Sequence, residues 1–205
     1  MKNSKTFFIQ ALSRESLDNS KLLEISKNLP KNIALAYSIQ YKSLAEQTRL
    51  ILSKKHNILS FFQVLGCTSP KLPKQTQAII LIGSGKFHAV SLALKTNLPI
   101  YIMHNNSLEK ISEKEIDSLR KKKKSSYLKY LNADKVGILI STKPGQQNLK
   151  KAIEFKKHLK NKTSYLFIAN NINPNEFENF GILSWVNTAC PKLDFDAPII
   201  NMGDL

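Results

Sequence analysis

Two cysteines carry most of the chemical potential of this chain. Cys67 closes Val64-Leu65-Gly66-Cys67-Thr68-Ser69-Pro70, and Cys190 closes Trp185-Val186-Asn187-Thr188-Ala189-Cys190-Pro191. Each follows an apolar run with the composition of a buried strand. A thiol in a loop just past the carboxyl end of a strand is placed where α/β sheets build their metal and cofactor sites. Isolated cysteines are also common as small buried hydrophobes, and from their count alone that reading competes. A second candidate is the turn Gly83-Ser84-Gly85-Lys86-Phe87-His88 between a strand and a helix. Its glycines let a ligand approach the backbone, and helix N-terminal N–H groups favour an anion. The turn lacks the third glycine and the distant acidic residue of a dinucleotide fingerprint, and it is not a P-loop. A plain tight turn is the equal alternative.

Lys143-Pro144-Gly145-Gln146 stands at what the pattern makes the equivalent turn of the second half. Lys143 and Gln146 suit a carboxylate or simple solvation, and Pro with Gly marks the turn itself. His88 follows the Gly-rich turn, which makes it a better site candidate than His56, His104 or His158. Those three have the settings of surface or packing histidines. None has a histidine or carboxylate at metal-ligand spacing beside it.

The elements that must position these groups alternate. Short apolar runs at Ile33–Ser38, Ile58–Phe62, Ala78–Gly83 and Ile100–Met103 read as buried parallel strands. Helical periodicity over Ser43–Lys55 places Leu44, Leu50 and Ile51 on one face, and a second helix spans Phe87–Lys95. The strongly charged stretch Lys110–Leu131 reads as a helix joining two units. Strands then recur at Val136–Ser141, Ser164–Ala169 and Ile182–Val186, with a helix over Gln147–Leu159 between the first two. Gln40 follows the first strand of one half and Gln146 the first strand of the other, a weak internal repeat of strand, Gln-bearing turn, helix, strand and cysteine loop. The expected fold class is α/β, two similar small three-layer units with parallel sheets whose helices supply the crossovers. The expected boundaries are 1–30, 31–109 and 110–205.

At 205 residues, 42% of them hydrophobic, the chain can bury a core. No apolar run approaches the roughly 20 residues that span a bilayer. The N-terminus is a weak match to a signal peptide, with a short apolar part broken by Gln10. A cytoplasmic protein without a membrane partner is expected, and a structural disulfide is not. The net charge is +16, from 31 basic and 15 acidic residues. Such an excess suits an acidic or phosphate-bearing partner. Yet Arg14, Arg49 and Arg120 are the chain's arginines, and nucleic-acid readers lean on the arginine fork. Basic and aromatic residues also do not interleave as they do in single-strand binders. RNA is therefore not expected as the primary partner, and a run such as Arg120-Lys121-Lys122-Lys123-Lys124 is more often a solvated helix face.

Taken together, several ordered strings resemble the diphthamide synthase family, the 2-(3-amino-3-carboxypropyl)histidine synthases. They are Ser38-Ile39-Gln40-Tyr41, Leu65-Gly66-Cys67 with Thr68-Ser69-Pro70, and Gly83 to Ala89. Later come Gly137 to Gln146, then Trp185 to Leu193, with Asp196 at the place of a family aspartate. The resemblance implies three similar α/β domains, each giving one cysteine to a 4Fe-4S cluster whose open iron takes S-adenosylmethionine. Reduction then yields an aminocarboxypropyl radical that attacks a histidine of translation elongation factor 2. On this resemblance Cys67 and Cys190 are cluster ligands. Gln40, Gly83, Ser84, Gly85, Lys86, His88, Lys143, Gly145 and Gln146 are the candidate cofactor-binding residues. No catalytic acid or base is assigned. Thiolates are the ligands such clusters prefer, and the cofactor carries the hard chemistry.

The sequence departs from the family pattern by holding two of the three cysteines. Lys5–Ala11 is similar to the last strand of the missing first domain, and Ser16–Asn28 to the helix that follows it. These departures imply a split enzyme, in which a separate N-terminal polypeptide supplies the third thiolate, and a homo- or heterodimer is among the assemblies the family implies. A family arginine after Cys-Pro is here Lys192, and the arginine of the Gly-rich turn is Lys86; both keep charge but lose the fork. The competing functions are a non-catalytic helper subunit of the same enzyme, a basic RNA- or ribosome-binding α/β module, and a plain nucleotide-binding enzyme.

Overall fold

The structure, a computed structural model, describes Phe7, Ile9, residues 11–197 and residues 199–205, apart from the side chains of Phe195 and Asp196. It divides into two compact units, Met1–Ile116 and Asp117–Leu205. The expected strand over Lys5–Ala11 falls largely outside the described residues.

The first unit is built on the strands β1 (Asn32–Tyr37), β2 (Asn57–Gln63), β3 (Ala78–Ile82), β4 (Ile100–His104) and β5 (Ser107–Lys110), in the spatial order β2-β1-β3-β4-β5. The first four are parallel, and β5 returns antiparallel to β4. The tight turn between them uses Asn105 and Asn106 at positive φ, a conformation that asparagine tolerates. The central strands β1 and β3 are apolar throughout because both of their faces are covered; Ile33, Leu35, Ile80 and Ile82 are fully buried on one face, and Ala34, Ala36, Ile79 and Leu81 on the other. Leu22 of α1 (Asn19–Ile25) joins Leu44, Ala45 and Leu52 of α2 (Lys42–Leu52) on the Ile33 face. Helix α3 (Lys86–Thr96) lies against β4.

Several expectations need correction here. The predicted helix over Ser16–Asn28 is a short α1 followed by a 3-10 turn at Ser26–Asn28, and its start is set by the Asp18 side chain accepting from the Ser20 and Lys21 amides. In α2, Leu44 and Ile51 pack on the core, but Leu50 is 70% exposed. One helical step of 100° carries Leu50 off the buried stripe that Leu44, Ala45, Thr48 and Leu52 share. The charged helix begins at Glu113 rather than Lys110, because Ser107–Lys110 is spent on β5.

The second unit holds β6 (Lys135–Ser141), β7 (Thr163–Ala169), β8 (Ser184–Asn187) and β9 (Ile200–Asn201), all parallel, in the order β7-β6-β8-β9. One face carries Tyr130 of α4 (Glu113–Asn132) together with Leu149, Ala152 and Phe155 of α5 (Leu149–His158), set on Val136, Ile138, Ile140 and Val186. The other carries Ile172, Phe177 and Leu193 on Leu139, Phe167 and Trp185. Gly137 pairs in register with Trp185, and a Cβ there would lie 2.3 Å from the indole ring. The absence of a side chain at 137 is what lets the indole lie flat on the sheet. Phe177 stacks on its other side, with centroids 4.2 Å apart.

The two sheets share one topology, with β1, β2, β3 and β4 corresponding to β6, β7, β8 and β9. This correspondence corrects the expected repeat. Cys67 follows the second strand of its sheet, whereas Cys190 follows the third. The Lys143 turn follows the first strand, so its counterpart is the Ser38–Gln40 turn, as the pairing of Gln40 with Gln146 expects, and not the Gly83 turn.

Candidate functional site

In an open parallel sheet the ligand crevice lies outside the carboxyl ends of the strands, where the strand order reverses. In the second unit that point lies between β6 and β8. A cavity of about 190 Å³ opens there, lined by Ser141, Lys143, Gln146, Asn170, Asn171, Ile172, Cys190, Lys192 and Leu193. The structure thus brings together four residues singled out in the sequence, Lys143, Gln146, Cys190 and Lys192. Gly145 shapes the turn through its positive φ of 77° and does not line the cavity. Two ammonium groups, the amides of Gln146, Asn170 and Asn171, and a half-buried thiol give this crevice the makings of an anion-binding, thiol-bearing site.

The Cys190 loop is fixed by side-chain amides that the sequence reading missed. Asn148 Nδ2 donates to the Thr188 carbonyl at 2.7 Å, tying the start of α5 to the loop after β8. The Thr188 hydroxyl and amide both donate to the Leu139 carbonyl. Buried Asn187 accepts from the Ala189 amide through Oδ1, and its Nδ2 donates to the Cys190 carbonyl at 2.8 Å and to Asn201 Oδ1 at 2.7 Å. Asn201 donates in turn to Asp194 Oδ2 at 2.6 Å, and Lys123 Nζ lies 2.7 Å from both Asp194 and Asp204. Burial pushes the Asp194 carboxyl up, against the pull of the Lys123 ammonium. Burial pulls Lys123 down, but Asp194 and Asp204 together carry it above its ordinary value. The sequence pointed to Asp196, whose side chain lies outside the described residues; Asp194 is the carboxylate found beneath the loop.

Cys67 is an exposed free thiol in the connection that leaves β2, passes β1 and enters β3. Its loop is held from outside. The Thr68 hydroxyl accepts from the Leu65 amide at 2.6 Å, and Lys95 Nζ donates to the Thr68 carbonyl at 3.0 Å and to the Gly66 carbonyl at 3.4 Å. Gly66 packs so closely on the Phe87 ring that a Cβ would meet it at 3.0 Å.

At the switch point of the first sheet the turn after β1 meets the turn after β3. Ser38 Oγ lies 3.0 Å from where a Cβ on Gly83 would stand, so Gly83 admits that close approach. Ser84 and Gly85 are exposed at this turn, Gln40 is exposed nearby in sequence to Ser38, and half-buried His88 sits in the first turn of α3 against Phe87. Lys86 pairs with Glu115 at 2.8 Å and reaches Glu109 at 3.6 Å. Of the other histidines, His56 bonds the Pro30 carbonyl, His158 bonds the Glu154 carbonyl, and His104 pairs with Glu15 at 3.0 Å.

Comparison with known proteins decides the family. A family model described as "Putative diphthamide synthesis protein" matches residues 1–204. The chain belongs to the diphthamide synthesis protein family. Among curated relatives it is 29% identical over 189 residues to 2-(3-amino-3-carboxypropyl)histidine synthase of Methanocaldococcus jannaschii, covering 89% of this chain and 52% of that protein. It is 26% identical over 181 residues to subunit 1 of the human synthase, covering 80% of this chain and 40% of the other. The chain therefore spans about half the length of the family members it matches. Crystal structures of Dph2 from Pyrococcus horikoshii share the fold, with TM-scores of 0.77 and 0.75 at 24% identity over 93% of this chain and 61% of theirs; the second contains a 4Fe-4S cluster.

The thiols fit that cluster class in kind and fall short in number. Both are free and placed in loops, and thiolate sulfur is the ligand iron–sulfur clusters take. The sequence has no third cysteine, and among the described residues no group of three or more His, Cys, Asp or Glu side chains gathers. No described helix is long and apolar enough to cross a membrane.

Proposed function

We propose that this chain is the part of a 2-(3-amino-3-carboxypropyl)histidine synthase that carries two cluster ligands, Cys67 and Cys190. On this reading it transfers the aminocarboxypropyl group of S-adenosylmethionine to a histidine of translation elongation factor 2. The observation that carries the reading is the family match over residues 1–204, with free thiols retained in a loop of each unit. A third thiolate then comes from outside these 205 residues, from the first domain that the family resemblance implies. Cys67 and Cys190 would hold two sites of a 4Fe-4S cluster, which, once reduced by an external donor, would supply the single electron needed to cleave a carbon–sulfur bond of the sulfonium.

The chain's own residues bind and orient. Lys143, Lys192 and the Gln146 amide line the crevice beside Cys190, where they can counter the carboxylate of the aminocarboxypropyl group. Gly83, Ser84 and Gly85 leave the backbone open at the other switch point, and Gln40 lies on the turn facing the same sheet edge. The count of two thiols favours one second reading, a helper subunit that supports a partner's cluster.

Anaerobic reconstitution with iron and sulfide, with and without a polypeptide carrying the family's first domain, tests the proposal. The expected result is a stable cluster and transfer to elongation factor 2 only with that polypeptide, both lost when either Cys67 or Cys190 is changed to Ser. Transfer unaffected by both changes would instead support the helper reading, and salt-sensitive RNA binding that survives both would support an RNA-binding module.

A further inference from the structure

The loop bearing Cys190 is anchored by buried side-chain amides. Asn187 is the last residue of β8 and stands in register with Asn201 on β9. β9 is two residues long, so backbone pairing alone offers little to hold the chain that leaves Cys190 and returns to the sheet. The side chains supply the rest. Asn187 uses its Oδ1 and both Nδ2 protons, on Ala189, Cys190 and Asn201. Asn201 Nδ2 bonds Asp194 and reaches the Pro191 carbonyl at 3.3 Å. Backbone groups of residues 189, 190 and 191 are therefore held by two amides, and behind them stand Asp194 and Lys123.

Such an arrangement is expensive as mere packing. Asn187 is 2% exposed, Asp194 5% and Asn201 8%. Burying amides and a carboxylate is unfavourable unless each partner is in place, and apolar residues of like volume would commonly stabilise a core as well or better. What the polar chain adds is a single register, because each donor has one acceptor at one distance.

We propose that Asn187 and Asn201 are positioning residues that fix the direction and exposure of the Cys190 thiol, with Asp194 and Lys123 as their anchor. The thiol's role as a cluster ligand rests on the reading under Proposed function; the positioning itself does not. Neither asparagine is assigned contact with sulfur, iron or substrate. They act on the backbone that carries the thiol, as the groups behind metal ligands do elsewhere.

The two cysteines give an internal comparison. In the full chain, iron-free and reduced, alkylation by iodoacetamide is followed at each cysteine by mass spectrometry. The variants are Asn187→Asp, which keeps the acceptor for Ala189 and loses both donations, Asn201→Ala, and Lys123→Met. Lys123 lies at the half-exposed end of the network, so its variant keeps the test open should an asparagine variant not fold. The expected result is faster alkylation at Cys190 with Cys67 unchanged, largest for Asn187→Asp and smallest for Lys123→Met, in chains with wild-type circular dichroism. Equal changes at both cysteines, or an unchanged Cys190 in folded variants, would overturn the proposal. A second arm measures iron affinity and the visible spectrum after anaerobic reconstitution with the first-domain polypeptide. There Asn187→Asp should weaken iron binding by about 10- to 100-fold, as the loss of a group supporting a ligand commonly does. Wild-type iron affinity in a folded Asn187→Asp chain overturns the positioning role. Selective alkylation changes in a chain whose wild type takes up no iron support the positioning role and sink the cluster reading.

Discussion

Cys67 and Cys190 are held by opposite means. The Cys190 loop hangs on buried amides, whereas the Cys67 loop is clamped at the surface by the Lys95 ammonium across two carbonyls. A water-exposed bond of this kind is weak. Lys95→Met is therefore expected to speed proteolysis or hydrogen exchange in residues 65–69 while leaving the unfolding midpoint nearly unchanged. At Gly137 the physics is steric. Ala at this position forces a methyl into the Trp185 ring, which is wedged between the sheet and Phe177. Overpacking of this kind costs roughly 1–3 kcal/mol, and urea unfolding followed by circular dichroism should read a loss in that range.

Helix α4 starts at a capping box. The Ser112 hydroxyl accepts from the Glu115 amide, and the Glu115 carboxylate accepts from the Ser112 amide and hydroxyl. Lys86 adds its ammonium to the same carboxylate. The Lys86 hydrogen bond first, and those from Ser112 next, pull the Glu115 carboxyl from 4.5 down to about 2. A depressed acid stabilises the fold above its unfolded pKa, so this contribution is present above pH 4.5 and drains away as the pH falls toward 2. The protection of amides in the first turn of α4, taken relative to their intrinsic exchange rates, should fall over that window, and Glu115→Gln should start from lower protection and flatten the dependence.

Elements also show what a sequence can reveal. Ile33–Ala36, Ala78–Ile82 and Val136–Ile140 are legible as strands because a parallel strand covered on both faces has no polar side to interrupt it. Ser107–Lys110 and Ile200–Asn201 are not, being short and carrying no run of apolar residues long enough to register. Cys67, Cys190, Lys143 and Gln146 stand out by residue type beside turn glycines and prolines. Asn148, Asn187, Asn201 and Asp194 do not, because an amide or carboxylate takes its role from tertiary partners such as the Thr188 carbonyl, far along the chain. The pairing of Gln40 with Gln146 is legible because each follows the first strand of its unit; the Gly83 turn resembles the Lys143 turn in its glycine and lysine but follows the third strand.

At the scale of the molecule, 31 basic residues against 15 acidic ones leave a field that attracts anionic surfaces from a distance. If transfer to elongation factor 2 is the activity, its second-order rate should fall as salt rises from low to physiological ionic strength, while turnover at saturation changes little. A rate indifferent to salt would count against steering by charge. The two units, Met1–Ile116 and Asp117–Leu205, each hold a mainly parallel sheet with its own switch point. Trp185 is the chain's single tryptophan, and it lies in the second of them, 4% exposed and ringed by Phe167, Phe177 and Phe180. Its fluorescence is thus a built-in optical label for one unit, while ellipticity counts the backbone of both. Superimposed melting curves from the two signals would mean that the halves come apart as one cooperative body, and displaced curves would mean that each melts on its own terms.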